Sequence, residues 1–426
     1  MQRSSNNSEK SLEIDNILSR AEKLREKSFY PQSLRLFKKA LKGYIKICNP
    51  DGIFSCMLSL GDIYRMVGNF DLAVKSYIDT IKLAKKIKDP IKVADARVGL
   101  GLSLRAQGNW KEAIKLIRES RSTYQKKNDR QGIAFTLWAE AGALRIKGDI
   151  LCAIKMFKES RKIFKSIRDT QGVGYCLCGL GGASRIAGLF KNSLNYYTAA
   201  NKLFSGIKDT FGKAYSYCGA GNAYRMLTDY KSALNNFAKA IRIYKKIGDK
   251  VSYSYTLWGI GTTYKMAGNF KGADDNFIKA MALFKKTKDP RGVIYCRLGL
   301  GEIALLKNKK AVAMRHFLAS LKGSTKNGFA VEKCHASTLI SYMYNLPQSP
   351  LTTLYKKDNP PYPPSIPPLI RGDTEGLKGG EGGLFIKGGR GDFKKAKGGL
   401  SVKTDNECYN RLGLKLGFHG LPFNIP

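Results

Sequence analysis

Residues 209–248 read DTFGKAYSYCGAGNAYRMLTDYKSALNNFAKAIRIYKKIG, and residues 249–288 read DKVSYSYTLWGIGTTYKMAGNFKGADDNFIKAMALFKKTK. The two stretches align over 40 residues without a gap, and the register continues on both sides. Asp89, Asp129, Asp169, Asp209, Asp249 and Asp289 share one position of the period. Gly61, Gly101, Gly181, Gly221, Gly261 and Gly301 share a second, with Ala141 filling the gap. Ala73, Ala113, Ala153, Ala233, Ala273 and Ala313 share a third, where Ser193 substitutes once. A period of this length marks stacked supersecondary units, none of which can bury its apolar face alone.

Working outward, eight units are expected over 11–326. A polar leader (1–10) precedes them, a capping segment (327–345) follows, and a tail runs from 346 to 426. Each unit reads as two helices, about sixteen in all. The first helix starts at the recurrent Asp or Asn, where Asn49-Pro50, Asp89-Pro90 and Asp289-Pro290 place an N-cap acceptor before a first-turn proline. In the 249–288 unit Leu257, Ile260, Gly261 and Tyr264 share one helical face. A Gly-Asn or Gly-Asp turn follows, as at Gly68-Asn69 and Gly148-Asp149, with glycine suited to a C-cap. The second helix carries Ala273, Phe277, Ala280 and Phe284 and ends in lysines that complement the helix dipole. The recurrent small residues Gly261 and Ala273 allow close packing, with Tyr264 and Phe277 filling the space around them.

This pattern resembles the tetratricopeptide repeat in its 40-residue form. The residues that carry the likeness are Leu257, Ile260, Gly261, Tyr264, Ala273, Phe277 and Ala280 in one unit, and Met57, Leu60, Gly61, Tyr64, Ala73, Tyr77 and Thr80 in another. The resemblance covers about 11–326 and implies an all-α, right-handed superhelical α-solenoid whose first helices line a concave groove. It also implies a protein-binding scaffold in place of an enzyme. Ala220-Gly221-Asn222 is the nearest approach to the Leu-Gly-Asn of the spindle-orientation scaffolds that share this repeat length.

Composition narrows the partner. Lys and Arg number 74 against 33 Asp and Glu, a net charge of +41. Residues 346–426 hold 12 Lys and Arg against 7 Asp and Glu, so +36 of that charge precedes residue 346. The array therefore calls for an acidic protein or peptide partner, with nucleic acid as the second reading. The second reading lacks a recognition helix, zinc knuckle or stacking platform. The leader has no apolar signal region and no run is apolar enough to span a membrane, which with the cysteine pattern points to the cytoplasm. Nine cysteines without a CxxC, and three histidines, make a zinc site unexpected, and the cysteines read as reduced thiols. No cofactor is implied. Gly179-Leu180-Gly181-Gly182 and Gly219-Ala220-Gly221 sit inside helical patterns, which excludes a phosphate loop. The tail is rich in Pro, Gly and Lys, resembles translated repetitive DNA, and is expected to be structureless.

The family's groove positions, spaced 3, 4 and 3 apart, fall on Phe135, Trp138, Gly142 and Arg145 in the fourth unit. They continue as Tyr175, Cys178, Gly182 and Arg185, then Tyr215, Cys218, Asn222 and Arg225, then Tyr255, Trp258, Thr262 and Lys265. A cationic ladder results from Arg25, Arg65, Arg105, Arg145, Arg185, Arg225 and Lys265, and an aromatic one from Phe135, Tyr175, Tyr215, Tyr255 and Tyr295. Guanidinium groups grip carboxylates bidentately, and aromatic rings supply contact area at low entropic cost. The candidate partner-binding residues are therefore Tyr175, Arg185, Tyr215, Asn222, Arg225, Tyr255, Trp258, Lys265, Arg145 and Trp138, with Tyr215, Asn222 and Arg225 as the expected centre. The competing reading is that the cations only cap helix dipoles and the tyrosines only fill space between units.

Overall fold

The computed structural model describes residues 2–344, 407–416 and 421–426. Seventeen long helices follow one another from α1 (Gln2–Glu26) to α17 (Ala330–Tyr344), and a short α18 spans Glu407–Arg411. No strand occurs among the described residues. The joints follow the sequence reading. Asp129, Asp169, Asp209, Asp249 and Asp289 each accept a hydrogen bond from a first-turn backbone N–H, as from Gly212 N to Asp209 Oδ1 at 2.8 Å. The turn glycines are left-handed, Gly148 at φ 102° and Gly268 at φ 80°.

The glycines inside the first helices have a more specific role than close backbone packing. Phe277 of α14 (Phe270–Lys286) lies between Gly261 of its own unit and Gly299 of the next. A Cβ at Gly261 would sit 2.9 Å from the ring, and one at Gly299 2.5 Å. Tyr197 is clamped in the same way by Gly181 and Gly219, and Tyr77 by Gly61 and Gly99. Each unit's aromatic side chain thus locks it to its successor, and burying such a ring contributes about 1.5–3 kcal/mol. A Cβ at Gly219 would meet Tyr197 at 2.0 Å in a site with no slack. Gly219→Ala is therefore expected to destabilise the array by about 1–3 kcal/mol. Urea denaturation checks this, and an unchanged midpoint would contradict the clamp.

From the fourth unit onward the first helices are small or apolar nearly all round. In α9 (Thr170–Ile186) eleven residues are buried, against four in α10 (Phe190–Gly206). Such a helix must be covered on every side. The coil supplies this by closing on itself after one superhelical turn. Trp110 Nε1 donates to Asn327 O at 2.9 Å and Lys288 pairs with Asp71 at 2.5 Å, each across 217 residues, or between five and six units. Gly68 faces Val251 and Thr287 across the same seam, and Gly108 faces Pro290 and Phe329. The expected open groove is therefore a bore, enclosed by the winding of the chain.

Two stretches of the tail belong to this packing, and the rest of 345–426 lies outside the described residues. Lys415 N donates to Ala187 O at 3.3 Å, beside the turn glycine Gly188. Tyr409 is buried and pairs with His335 Nδ1 at 2.7 Å. Cys334 and Cys408 form a disulfide, which corrects the expectation of nine reduced thiols; the other seven cysteines are free. The pair lies 74 residues apart, and only the return of the tail onto α17 brings it together.

Candidate binding bore

The cationic ladder sits at the ends of the first helices and faces the bore. Its side chains obey a rule of neighbours. At Arg25 and Arg65 the residue three positions earlier is acidic, and the pairs close as Arg25–Glu22 at 2.7 Å and Arg65–Asp62 at 3.2 Å. At Arg145 and Arg185 that position is Gly142 and Gly182, and among the described residues neither arginine forms an ion pair. Glycine here also makes room for the cation of the preceding unit. A Cβ at Gly142 would meet Arg105 Nη1 at 2.2 Å, and one at Gly182 would meet Arg145 Nη1 at 2.2 Å.

The bore holds two chambers related by an 80-residue shift, or two units. Arg25, Arg65, Trp138, Tyr175 and Asp209 line a chamber of about 460 Å³. Arg105, Arg145, Cys218, Tyr255 and Asp289 occupy the matching places in a second chamber of about 270 Å³, which Arg185, Tyr215, Asn222 and Trp258 also line. Eight of the ten candidate residues thus line the bore. Arg225 and Lys265 line neither chamber, being fully buried against residues 423–425.

The two chambers differ in charge. Asp62 balances Arg65 in the first. In the second, the buried atoms Arg145 Nε, Arg185 Nε and Arg185 Nη1 have no hydrogen-bond partner among the described residues. Burial pushes the Arg185 guanidinium down, and Arg145 adds to this. Burial, with Arg145 beside it, pushes Arg105 down to about 10. Burial and Arg185 push Arg225 down to about 9. Guanidinium groups are charged at neutral pH, so the chamber carries positive charge that an anion would relieve.

The aromatic ladder has a structural share. Tyr175 Oη donates to Asp209 Oδ2 at 3.0 Å and Tyr255 Oη to Asp289 Oδ2 at 2.8 Å, tying each ring to the next unit's N-cap. Tyr295 is engaged with Glu332 at 2.6 Å. Tyr215 stacks on Phe211 at 5.9 Å and has no hydrogen-bond partner among the described residues. Trp138 and Trp258 are platforms under Arg105 and Arg225, at 5.7 and 5.5 Å. Asn222 is engaged locally, donating to Cys218 O at 3.1 Å and accepting from Arg225 Nη2 at 3.2 Å.

Beyond Arg185 the ladder is taken up from within the chain. Lys265 Nζ lies 2.7 Å from Glu302 Oε1 and donates to Phe423 O at 2.8 Å, while Phe423 N donates to Glu302 Oε2 at 2.7 Å. Arg225 Nη2 donates to Ile425 O at 3.0 Å, and Arg225 Nη1 to Asn424 Oδ1. Glu302 is a buried partner of the ladder that the cationic and aromatic registers leave out. Its signal was the spacing of 37 residues from Lys265, the step that also sets Arg105 over Gly142. Among the described residues no cluster of His, Cys, Asp or Glu could hold a metal ion, and no helix is long and apolar enough to cross a membrane.

Fold and bore together define an enclosed helical-repeat solenoid. Residues 92–166 match the tetratricopeptide repeat model. Among solved structures, the chain is similar to a Rap protein complexed with competence and sporulation factor, at 15% identity and TM-score 0.53, over 79% of this chain and 97% of that one. It is also similar to the Rap conjugation gene regulator of the plasmid pLS20 in complex with the Phr* peptide, at 11% identity and TM-score 0.57, over 74% of this chain and 95% of that one. At such identities the likeness is one of fold. No curated protein sequence matches the chain.

Proposed function

We propose that the protein is a non-catalytic binder that receives an extended protein or peptide segment bearing Asp or Glu in its bore. The observation that carries this reading is the pair Arg145 and Arg185, whose buried guanidinium nitrogens have no partner among the described residues. A carboxylate there would form charge-assisted hydrogen bonds, worth about 1.5–3 kcal/mol each. The ladder above them already holds main-chain carbonyls of residues 423 and 425, so its spacing suits an extended chain. The two Rap structures contain a bound factor and a bound peptide, which agrees with this use of the fold.

The test is competition within a soluble pool of random hexapeptides offered to the full chain, with the bound fraction read by mass spectrometry. Peptides with Asp or Glu are expected to be enriched. Enrichment should weaken as salt rises, because the long-range attraction between the basic array and an acidic segment is screened over about 8 Å at physiological ionic strength. A bound fraction with the composition of the input would overturn the proposal.

A further inference from the structure

We infer that residues 421–426 are a built-in occupant of the bore, which an external segment must displace. The inference rests on the peptide-binding reading above and concerns its regulation. Phe423 and Ile425 are buried, at 1% and 3% exposure. Their carbonyls accept from Lys265 at 2.8 Å and Arg225 at 3.0 Å. Carbonyls two residues apart therefore meet rungs that are 40 residues apart in the array. An extended chain advances about 6.6 Å over two residues, which makes the register one dipeptide per rung. Asn424 adds the one side-chain reading, donating to Arg225 O at 2.9 Å and accepting from its guanidinium.

The direction of the segment matters. It descends from the Lys265–Glu302 rung to Arg225, and Pro426 then lines the chamber that contains Arg185 and Arg145. Those two arginines gain no hydrogen bond from it. The built-in segment thus satisfies the upper rungs and leaves the charged ones to an external competitor. A segment that places an apolar residue at the Lys265 rung, Asn at Arg225 and Asp or Glu one step beyond would make every contact that 421–426 makes, and add the carboxylate contact. The Cys334–Cys408 bond and the His335–Tyr409 contact hold the preceding stretch on α17. Such a tether keeps an occupant's effective concentration on the order of millimolar, so only a better-matched segment displaces it.

The test uses the full chain and a labelled, end-blocked hexapeptide Leu-Pro-Phe-Asn-Ile-Pro, followed by fluorescence anisotropy. The triple variant Phe423→Ala, Asn424→Ala, Ile425→Ala is expected to bind it about tenfold or more tighter than the unaltered chain. A second form, with a protease site inserted within 417–420 and cut after folding, should show the same gain and decides the matter if the triple variant fails to fold. Equal affinity before and after cutting, or no binding in either state, would overturn the inference. The acidic-peptide reading is judged separately by the pool. Acidic enrichment without any gain on cutting would leave that reading standing alone, and a gain on cutting without acidic enrichment would leave only the occupant.

Discussion

Replacing Lys265 with alanine is expected to cost about 3–5 kcal/mol of unfolding free energy, because it strands a buried carboxylate. Lys265 and Glu302 are 1% and 0% exposed and lie 2.7 Å apart. Burial pushes the Glu302 carboxyl up and the Lys265 ammonium down, while each partner opposes the other's shift. Without the lysine, the Phe423 N–H is the one hydrogen-bond donor left to Glu302 among the described residues. Its folded-state pKa then rises further above the unfolded value. A raised folded pKa favours the folded form while the group is protonated, and this benefit is lost as pH rises through that pKa. The deficit of Lys265→Ala should therefore be largest near neutral pH and shrink on acidification. Adding Glu302→Gln to Lys265→Met should recover most of the loss, since a neutral pair of similar volume carries no buried charge. Guanidinium denaturation across pH checks all three statements. A cost under about 1 kcal/mol for the single variant would mean that the pair is hydrated in solution.

Arg145→Met with Arg185→Met is expected to abolish the preference for acidic segments and, at the same time, to leave the fold as stable as before or more so. Two charge-assisted contacts at about 1.5–3 kcal/mol each imply a loss in affinity of about 100-fold or more. Methionine keeps much of the apolar stem that packs in the bore. Stability should not fall, because these cations have no counterion among the described residues and Arg145 disfavours the charge on Arg185. A residue held for structure would behave in the opposite way, with stability lost and binding kept. The competing reading, in which the ladder only complements helix dipoles, predicts a small loss of about 0.3–1 kcal/mol per cation and no change in binding.

The sequence was most informative where the physics is local. Asp209 and Asp249 cap their helices as the 40-residue register requires, and the turn glycines take the left-handed backbone. Arg25, Arg65, Arg105, Arg145 and Arg185 line the two chambers in register, since a first helix that repeats at a fixed period repeats its facing side. Closure of the coil was not legible. It joins Trp110 to Asn327 across 217 residues, and it follows from small rotations between units that no single unit encodes. The fate of Arg225 and Lys265 was hidden for a second reason. Their partners Asn424, Ile425 and Phe423 lie beyond a stretch rich in Pro and Gly, whose composition says nothing of a few apolar residues returning to the array. The distinction between paired and unpaired cations was available all along. Glu22 and Asp62 stand three residues before Arg25 and Arg65, where Gly142 and Gly182 stand before Arg145 and Arg185.

The central claim is that the bore receives an acidic segment at Arg145 and Arg185. A crystal structure of the full chain with the most enriched acidic hexapeptide tests it most directly. An extended peptide is expected inside the bore, with a carboxylate within salt-bridge distance of Arg145 or Arg185. A peptide bound on the outer face of the second helices, or inside the bore with its carboxylates turned away from both arginines, would contradict it.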